Sequence, residues 1–265
     1  MTRTIPPMTR LLAYSYDHLS CIAGYGTPET HSHLALHFIF SVGDAFPGTA
    51  GGKTFEGRAV FIGSDVPHTL NLERRDAIVF LFEPVSALGR YVKETFLRDK
   101  EFFLPEEGFL CRIAELVSRC SASCPANSLC GMSPEEAGAF DRELLGLLGW
   151  NGTGHTDASL DERVLLVKAR LSEMESIPSG IMKELCGTAR LSQSRLSHLF
   201  SSQAGISLHR YLAFIKIQKA FLHVRKGKSL TQAALDAGFD SPSHLAATFK
   251  RMFGISFSQF LKNAE

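Results

Sequence analysis

The sequence predicts an α+β protein. A β-rich N-terminal region, folded as a small barrel or sandwich with flanking helices, precedes an all-α C-terminal region. Two observations support this prediction. Short apolar segments separated by turn residues fill the first 85 residues. The last hundred residues contain one helical unit twice, 49 residues apart. A repeat at such a period indicates one supersecondary unit that is used two times.

Alternating hydrophobicity and turn residues locate the elements of the N-terminal region. Strands are predicted over residues 34–42, 58–62 and 77–82, and helices over residues 87–99 and 134–150. In residues 34–42 the even-numbered side chains are apolar and share one face of the strand. Residues 118–134 and 149–159 are rich in small, turn-forming residues, which predicts irregular structure there.

Each copy of the C-terminal repeat is predicted to form a helix, a tight turn and a second helix. The first copy has a helix over 181–188 and a second helix that Ser192 caps. The second copy has a helix over 230–237 that Gly238 ends, and a second helix that Ser241 caps. Two short helices joined in this way form a helix-turn-helix, whose second helix lies in the major groove of DNA.

The second helix of each copy is predicted to turn a small or polar face, free of acidic residues, away from its apolar side. The predicted buried faces comprise Leu196, Leu199, Phe200 and Gln203 in the first copy and Leu245, Thr248 and Phe249 in the second. The predicted DNA-contacting residues are Gln193, Ser194, Arg195, Ser197, His198, Ser201, Ser202, Ser243, Ala246, Ala247, Lys250 and Arg251. The alternative is an ordinary solvated face in a helical repeat.

The segment between the two copies is predicted to be one long helix. It spans residues 208–226, and its apolar side chains cover so wide an arc that both repeat units must pack against it. At 1.5 Å per residue this helix is about 28 Å long. The pitch of the DNA groove is about 34 Å. One rigid connector of this length would place two recognition helices in successive major grooves.

These residues resemble the DNA-binding domain of the AraC/XylS family of bacterial transcription regulators. The resemblance covers residues 160–265, and its specific motifs are residues 196–200, 205–212, 229–239 and 244–254. It implies binding to double-stranded promoter DNA, with RNA polymerase as a partner if the protein is an activator. Two positions depart from the family pattern. Ala189 replaces a common glycine, and residues 201–203 lack the usual basic side chains.

The charge distribution supports a division into two domains. Residues 161–265 contain 15 Lys and Arg against 8 Asp and Glu, a formal charge of +7, whereas the first 160 residues have 13 against 19, or −6. Cations on phosphates supply most non-specific affinity for DNA, so only the C-terminal part is expected to bind nucleic acid. We predict a sensing and dimerisation domain over 1–150, a linker over 151–159 and a DNA-binding domain over 160–265.

Four histidines form the candidate ligand site of the N-terminal region. His31, His33 and His37 share one parity of the chain, and His68 follows in a second short segment. The spacing of His31, His33 and His68 resembles a degenerate cupin pattern, and many AraC/XylS members use a cupin-like N-terminal domain to sense a small molecule or to dimerise. Three interpretations stay open: structural or solvated histidines, an effector pocket, or a metal site. No glutamate stands at the usual cupin distance after His33, so we predict no metal or cofactor.

The predicted function is therefore a cytoplasmic DNA-binding transcription regulator, controlled by a small-molecule effector, and not an enzyme. A homodimer contact is expected through the N-terminal helices. One alternative is a cupin-type metal enzyme with a helical appendage. Another is a sensor of thiol oxidation or soft metals built on Cys111, Cys120, Cys124 and Cys130, although no CxxC pair occurs among them. The longest apolar runs are too short to span a bilayer, and no signal-peptide stretch opens the chain.

Overall fold

The computed structural model describes residues 10–15, 17–24, 30–72, 76–124, 129, 132–152, 160–253 and 256–257. The chain separates into two compact units. One contains Met1–His155 and Phe253–Glu265, and the other contains Thr156–Met252. Strands and helices make up the first unit and helices the second, which confirms the α+β class. Residues 153–159 of the linker predicted over 151–159 lie outside the described residues.

The strands of the N-terminal unit form two antiparallel sheets. They are β1 (Arg10–Tyr14), β2 (His18–Gly24), β3 (Leu36–Ser41), β4 (Phe46–Ala50), β5 (Lys53–Gly57), β6 (Ala59–Ile62), β7 (His68–Leu70), β8 (Asp76–Phe82) and β9 (Phe102–Phe103). The larger sheet has the order β1-β2-β8-β3-β6-β9, and the smaller has the order β5-β4-β7. The three predicted strands are all present, within one or two residues of their predicted ends.

The larger sheet is buried on both faces. In β3, Phe38 and Phe40 pack among residues of the helices, whereas Ile39 packs among residues of the smaller sheet. The even-numbered residues therefore share one face as predicted, but the odd-numbered face is buried as well. Every residue of β3 is buried. This arrangement encloses a core between the two sheets, and His37 lies in β3 on the same face as Ile39.

Helical segments cover the outer face of the larger sheet. They are α1 (Ala87–Val92), which continues as a π-helical turn over Lys93–Leu97, α2 (Glu107–Ala122) and α3 (Pro134–Leu147). Ser133 caps α3 in a capping box with Glu136, which explains why the helix begins where predicted. The prediction of irregular structure from residue 118 is wrong for residues 118–122, which belong to α2. Val117 is buried in the core, and the helix continues beyond it.

A buried polar cluster joins α3 to β2. Asp141 of α3 accepts hydrogen bonds from Ser20 Oγ and from His18 Nε2, the latter at 3.0 Å. His18 Nδ1 lies 2.9 Å from an Asp17 carboxylate oxygen. Burial opposes the charged imidazolium, but the hydrogen bonds and charges of Asp141 and Asp17 raise the pKa of His18 to about 9. On this helix the apolar Ala139 is exposed and the charged Asp141 is buried, the reverse of what their side chains alone would predict.

Helices form the described part of the C-terminal unit. They are α4 (Glu162–Glu173), α5 (Ile181–Ala189), α6 (Gln193–Ala204), α7 (Leu208–Arg225), α8 (Leu230–Asp236) and α9 (Pro242–Phe253). The predicted long connector is α7, and it is buried over most of its circumference, although Leu222 is 39% exposed. Two of its polar side chains reach the end of α4. Lys219 Nζ donates to Ser172 O at 3.4 Å, and His223 Nε2 lies 3.2 Å from Glu175 O.

Candidate nucleic-acid interface and histidine cluster

The first helix-turn-helix comprises α5 and α6. Helix α5 extends to Ala189, one residue beyond its predicted end, and Arg190 takes the left-handed conformation with φ 52°. Ser192 caps α6 by accepting from the amide of Arg195. Ala189 is buried as a helical residue, so its side chain is compatible with the fold. The departure from glycine at this position is accommodated because the left-handed residue is Arg190.

The second helix-turn-helix comprises α8 and α9. Helix α8 ends at Asp236, and the left-handed residue is Gly238, with φ 93°. Ser241 caps α9 by accepting from the amide of His244 at 3.1 Å. Lys216 Nζ of α7 donates to Gly238 O at 2.7 Å, and the amide of Ile177 donates to Ala237 O at 3.3 Å. The turn is thus held against both α7 and the segment between α4 and α5.

Helix α6 presents a polar face to solvent. Leu196 and Phe200 are fully buried, as predicted, and Leu199 is half-buried. The predicted burial of Gln203 is wrong, because Gln203 is exposed and its Oε1 accepts from the amide of Asp161 at 3.1 Å. Of the predicted contact residues, Ser197 and Ser201 are half-buried; Gln193, Ser194, Arg195, His198 and Ser202 are exposed.

Helix α9 presents a face that combines small and basic side chains. The predicted buried residues Leu245, Thr248 and Phe249 are buried. The predicted contact residues Ser243, Ala246, Ala247, Lys250 and Arg251 are exposed. Within the described parts of the chain, neither Lys250 nor Arg251 has an ion-pair partner. Both cations are therefore accessible to an anion such as a DNA phosphate.

His244 is an exposed residue of α9 that the sequence reasoning did not select. It follows Ser243 at the start of the helix, and its Nδ1 lies 3.0 Å from an Asp240 carboxylate oxygen. The spacing of four residues between an acidic residue and a histidine was the available signal. His244 adds a hydrogen-bonding group to an end of α9 that otherwise exposes small side chains.

Several cations of the C-terminal unit are engaged within the protein. Arg163 pairs with Asp161 at 2.7 Å, Arg170 donates to Glu184 at 2.6 Å, and Lys228 pairs with Asp236 at 2.7 Å. Lys216 and Lys219 are directed at backbone carbonyl oxygens. The formal charge of +7 already subtracts the acidic partners, so these contacts reduce the number of cations free to meet phosphates and not the net charge. This gives the pair at Lys250 and Arg251 more weight.

The four candidate ligand histidines, His31, His33, His37 and His68, lie together. A backbone bridge connects His31 and His68: the His31 amide donates to His68 O at 3.1 Å, and the His68 amide donates to His31 O at 2.8 Å. Ring centroids are separated by 4.5 Å for His31 and His68, 5.1 Å for His33 and His68, and 3.9 Å for His33 and His37. His31 and His33 precede β3 and do not belong to it. The shared parity of these histidines along a strand therefore cannot explain the cluster, and the backbone bridge brings it together.

Backbone carbonyls orient two of the imidazoles. His33 Nδ1 lies 3.0 Å from Ala35 O, and His68 Nδ1 lies 2.8 Å from Val66 O. A carbonyl oxygen only accepts, so each Nδ1 carries the proton and each Nε2 carries a lone pair. Burial and the neighbouring histidines lower the pKa values of His33 and His37 well below 6.5, and burial lowers the pKa of His68 to about 4. The buried imidazoles are therefore neutral at physiological pH.

Two of the described cysteines have pKa shifts opposite to the one that a reactive thiol needs. Cys21, Cys111, Cys120, Cys124 and Cys186 are free thiols, and Cys130 lies outside the described residues. Burial raises the pKa of the Cys21 thiol to about 12, and burial also raises the pKa of Cys120. Reactive thiols need a lowered pKa. Within the described chain, the group of residues placed to share a metal contains histidines and no cysteine.

The two helix pairs and their exposed second helices define a double helix-turn-helix DNA-binding domain. A family model described as a helix-turn-helix domain matches residues 185–263. The resemblance to the AraC/XylS family is confirmed: the C-terminal part of this chain is a helix-turn-helix domain of the AraC type. No helix among the described residues is long and apolar enough to cross a membrane.

Two curated relatives are similar over this domain. The HTH-type transcriptional regulator MtrA of Neisseria gonorrhoeae is 34% identical over 80 residues, which are 30% of this chain and 27% of the relative. The probable transcriptional regulator LumQ of Photobacterium leiognathi is 36% identical over 78 residues, or 29% of this chain and 32% of the relative. The chain thus spans about a third or less of the length of the relatives that it matches.

Solved structures of ToxT from Vibrio cholerae resemble the whole fold. A single-residue variant of ToxT in its apo form is 15% identical, with a TM-score of 0.57, over 95% of this chain and 99% of ToxT. Wild-type ToxT bound to an unsaturated fatty acid is also 15% identical, with a TM-score of 0.55, over 96% and 99% of the two chains. At this identity the likeness shows a shared two-unit fold.

Proposed function

We propose that this protein is a sequence-specific DNA-binding transcription regulator whose N-terminal unit receives a regulatory ligand. The observation that supports it most directly is the pair of helices α6 and α9. Each follows a capped tight turn, and each exposes a face free of acidic residues. The matched relatives are named as transcriptional regulators, which favours a regulator over an enzyme.

The test is DNA binding by the full chain. Binding sites are selected from fragments of the source genome, and affinity for the preferred duplex is measured over a range of salt concentrations. We expect the affinity to fall steeply, with a log–log slope of about −0.9 for each phosphate that a Lys or Arg neutralises. Salt-independent binding, or failure to enrich any fragment, would contradict the proposal.

We further propose that the two recognition helices divide the work. Helix α6 exposes hydrogen-bonding side chains such as Gln193, Ser194 and His198, which suit base edges. Helix α9 exposes Ala246 and Ala247, which offer only van der Waals contact, and then two cations without ion-pair partners among the described residues. The first unit would supply most base discrimination, and the second mainly phosphate anchorage.

The variants His198→Ala and Lys250→Ala separate these roles. His198→Ala should cost about 1–3 kcal/mol on the preferred site and little on a scrambled duplex, because a base contact carries sequence information. Lys250→Ala should weaken both complexes alike and reduce the salt slope by about one unit. Fluorescence anisotropy on both duplexes measures these effects. Lys53→Ala, an exposed lysine of β5, is the control and should change neither affinity. Equal losses on both duplexes for His198→Ala would contradict the division.

The regulatory ligand is proposed to bind in the N-terminal unit at the histidine cluster. Burying a polar ring nitrogen is costly unless it is hydrogen-bonded, and among the described residues His37 Nδ1 and His68 Nε2 are buried without a hydrogen-bond partner that a bound ligand would supply. ToxT, which has a similar fold, has been solved with a bound unsaturated fatty acid, so a protein of this architecture accepts a small ligand. We also propose a homodimer contact through the N-terminal helices. If the protein is an activator, we propose that it contacts RNA polymerase.

A further inference from the structure

We propose that His31, His33 and His68 bind a divalent transition-metal ion, with zinc as the reference case. This inference rests on the ligand site proposed above and narrows the ligand at the histidine cluster to a metal ion, and it does not depend on DNA binding. One ligand atom from each of the three side chains lies within 4.8 Å of the others. His33 and His68 are buried, whereas His31 is half-buried and leaves an approach from solvent.

The backbone holds the three ligands before any ion arrives. The paired hydrogen bonds between His31 and His68 fix two of them relative to each other. The amide of Asp65 donates to His33 O at 2.8 Å, which ties the third ligand to the segment that leads into β7. With Zn–N distances of about 2.0–2.1 Å, nitrogens of a tetrahedral site lie about 3.4 Å apart. Small side-chain rotations therefore bring the three nitrogens to coordination distance.

The hydrogen bonds behind the cluster match those of a metal site. His33 Nδ1 donates to Ala35 O and His68 Nδ1 donates to Val66 O, so the Nε2 of each ring carries the lone pair. In metal sites a ligating histidine donates its other ring N–H to such an acceptor, which fixes the tautomer and the ring orientation. Both features are present here for the two buried ligands.

The same tautomers disfavour an anionic ligand. A carboxylate or phosphate needs hydrogen-bond donors, but the His33 and His68 protons are already used on carbonyl oxygens. Among the described residues, His68 Nε2 and the adjacent His37 Nδ1 are buried without a hydrogen-bond partner. A cation at the cluster would accept the lone pair of His68 Nε2. An anion would be repelled by that lone pair.

The donor set also indicates which metals fit. Three imidazoles without thiolate or carboxylate suit zinc, nickel, cobalt or copper, and they do not suit magnesium or calcium, which prefer oxygen ligands. Three protein ligands leave a fourth position for water or for a further ligand. The glutamate whose absence argued against a metal is therefore not needed for an all-histidine site.

The experiment uses the full chain without a purification tag, stripped with a chelator and titrated with Zn²⁺ alone. We expect one tightly bound ion per chain, a rise in Tm with Zn²⁺, and visible bands of tetrahedral cobalt when Co²⁺ replaces it. His31→Gln and His68→Gln should each lower Zn²⁺ affinity at least about 10–100-fold, the loss that even outer-sphere changes produce. His209→Gln, an exposed histidine of α7, is the control and should bind as the unaltered chain does.

Circular dichroism of each variant reports folding. If His68→Gln does not fold, His31→Gln decides the question, because its half-exposed site tolerates a polar replacement. Absence of stoichiometric Zn²⁺ binding to the unaltered chain would overturn the inference, as would undiminished binding by the folded ligand variants. DNA binding is measured on the same samples. In the unaltered chain, absence of DNA binding alone would reject the proposed function, and absence of Zn²⁺ binding alone would reject the metal site.

Discussion

Asp141→Asn is expected to lower the free energy of unfolding by about 3–5 kcal/mol near pH 6, the usual cost of removing one partner of a buried ion pair. Asp141 is 4% exposed, and it accepts from both His18 and Ser20. The asparagine would leave a buried imidazolium with one carboxylate, that of Asp17, instead of two. Denaturant unfolding followed by circular dichroism measures the change.

The same substitution should alter the pH dependence of stability. The pKa of His18 is about 9 in the folded protein and 6.5 in its unperturbed state, so its contribution is fully present below about pH 6.5. That contribution, on the order of 3 kcal/mol, is lost as pH rises through 9. Burial opposes the charged form of Asp17, but its hydrogen bonds, that from His18 foremost, together outweigh burial and lower the pKa of Asp17. Asp17 therefore adds stability above its unfolded pKa, and that stability is lost only as the pH falls into the acidic range. The unaltered chain should therefore lose stability between about pH 6.5 and 9, and Asp141→Asn much less.

Glu143→Gln is the matched control on the same helix. Glu143 pairs with Arg119 at the surface, and both side chains are more than half exposed. Exposed ion pairs contribute roughly 0–1 kcal/mol, so this variant should unfold almost as the unaltered chain does. Equal losses for Asp141→Asn and Glu143→Gln, or a pH profile that Asp141→Asn leaves unchanged, would show that the buried pair does not stabilise the N-terminal unit.

Gly238→Ala is expected to destabilise the C-terminal unit by about 2–4 kcal/mol, combining strain at a left-handed position with a backbone collision. Gly238 has φ 93°, and an added Cβ would lie 1.9 Å from Ile177 O, an atom that no side-chain rotation can move. The turn before α9 would have to shift, so DNA affinity should fall together with stability. Thermal unfolding and anisotropy on the preferred duplex measure the two effects.

Gly227→Ala separates strain from collision. Gly227 has φ 84°, and an added Cβ there meets no atom within 4 Å. Its alanine variant should therefore cost only about 1–2 kcal/mol, the penalty of the left-handed conformation alone. If both variants lose the same stability, the close approach between Gly238 and Ile177 makes no energetic contribution.

The sequence alone determined the helix-turn-helix units, because the signals that form them are local. The predicted caps at Ser192 and Ser241 are present, and each cap joins a side chain to an amide three residues later. Gly238, predicted to end the first helix of the second unit, takes the left-handed conformation there. The first turn is different. The absence of glycine was visible in the sequence, but the displacement of the left-handed position to Arg190 depends on the packing of Ala189 in α5.

The sequence also predicted the main strands of the N-terminal unit, but not their surroundings. Alternation in β3 identified the face that carries Phe38 and Phe40. That the opposite face is also buried follows from the second sheet, whose strands lie elsewhere in the chain. Asp141 was overlooked for the same reason, since its burial depends on His18, 123 residues away.

The histidine cluster depends on both local sequence and tertiary structure. The sequence singled out the four residues from their spacing, and the structure brings all four together. Their convergence is decided by the bridge between His31 and His68, and their tautomers by the carbonyls of Ala35 and Val66. Caps and turns form between residues three or four apart, so a short segment specifies them. Contacts between distant strands require the register of a whole sheet, and only the folded chain supplies it.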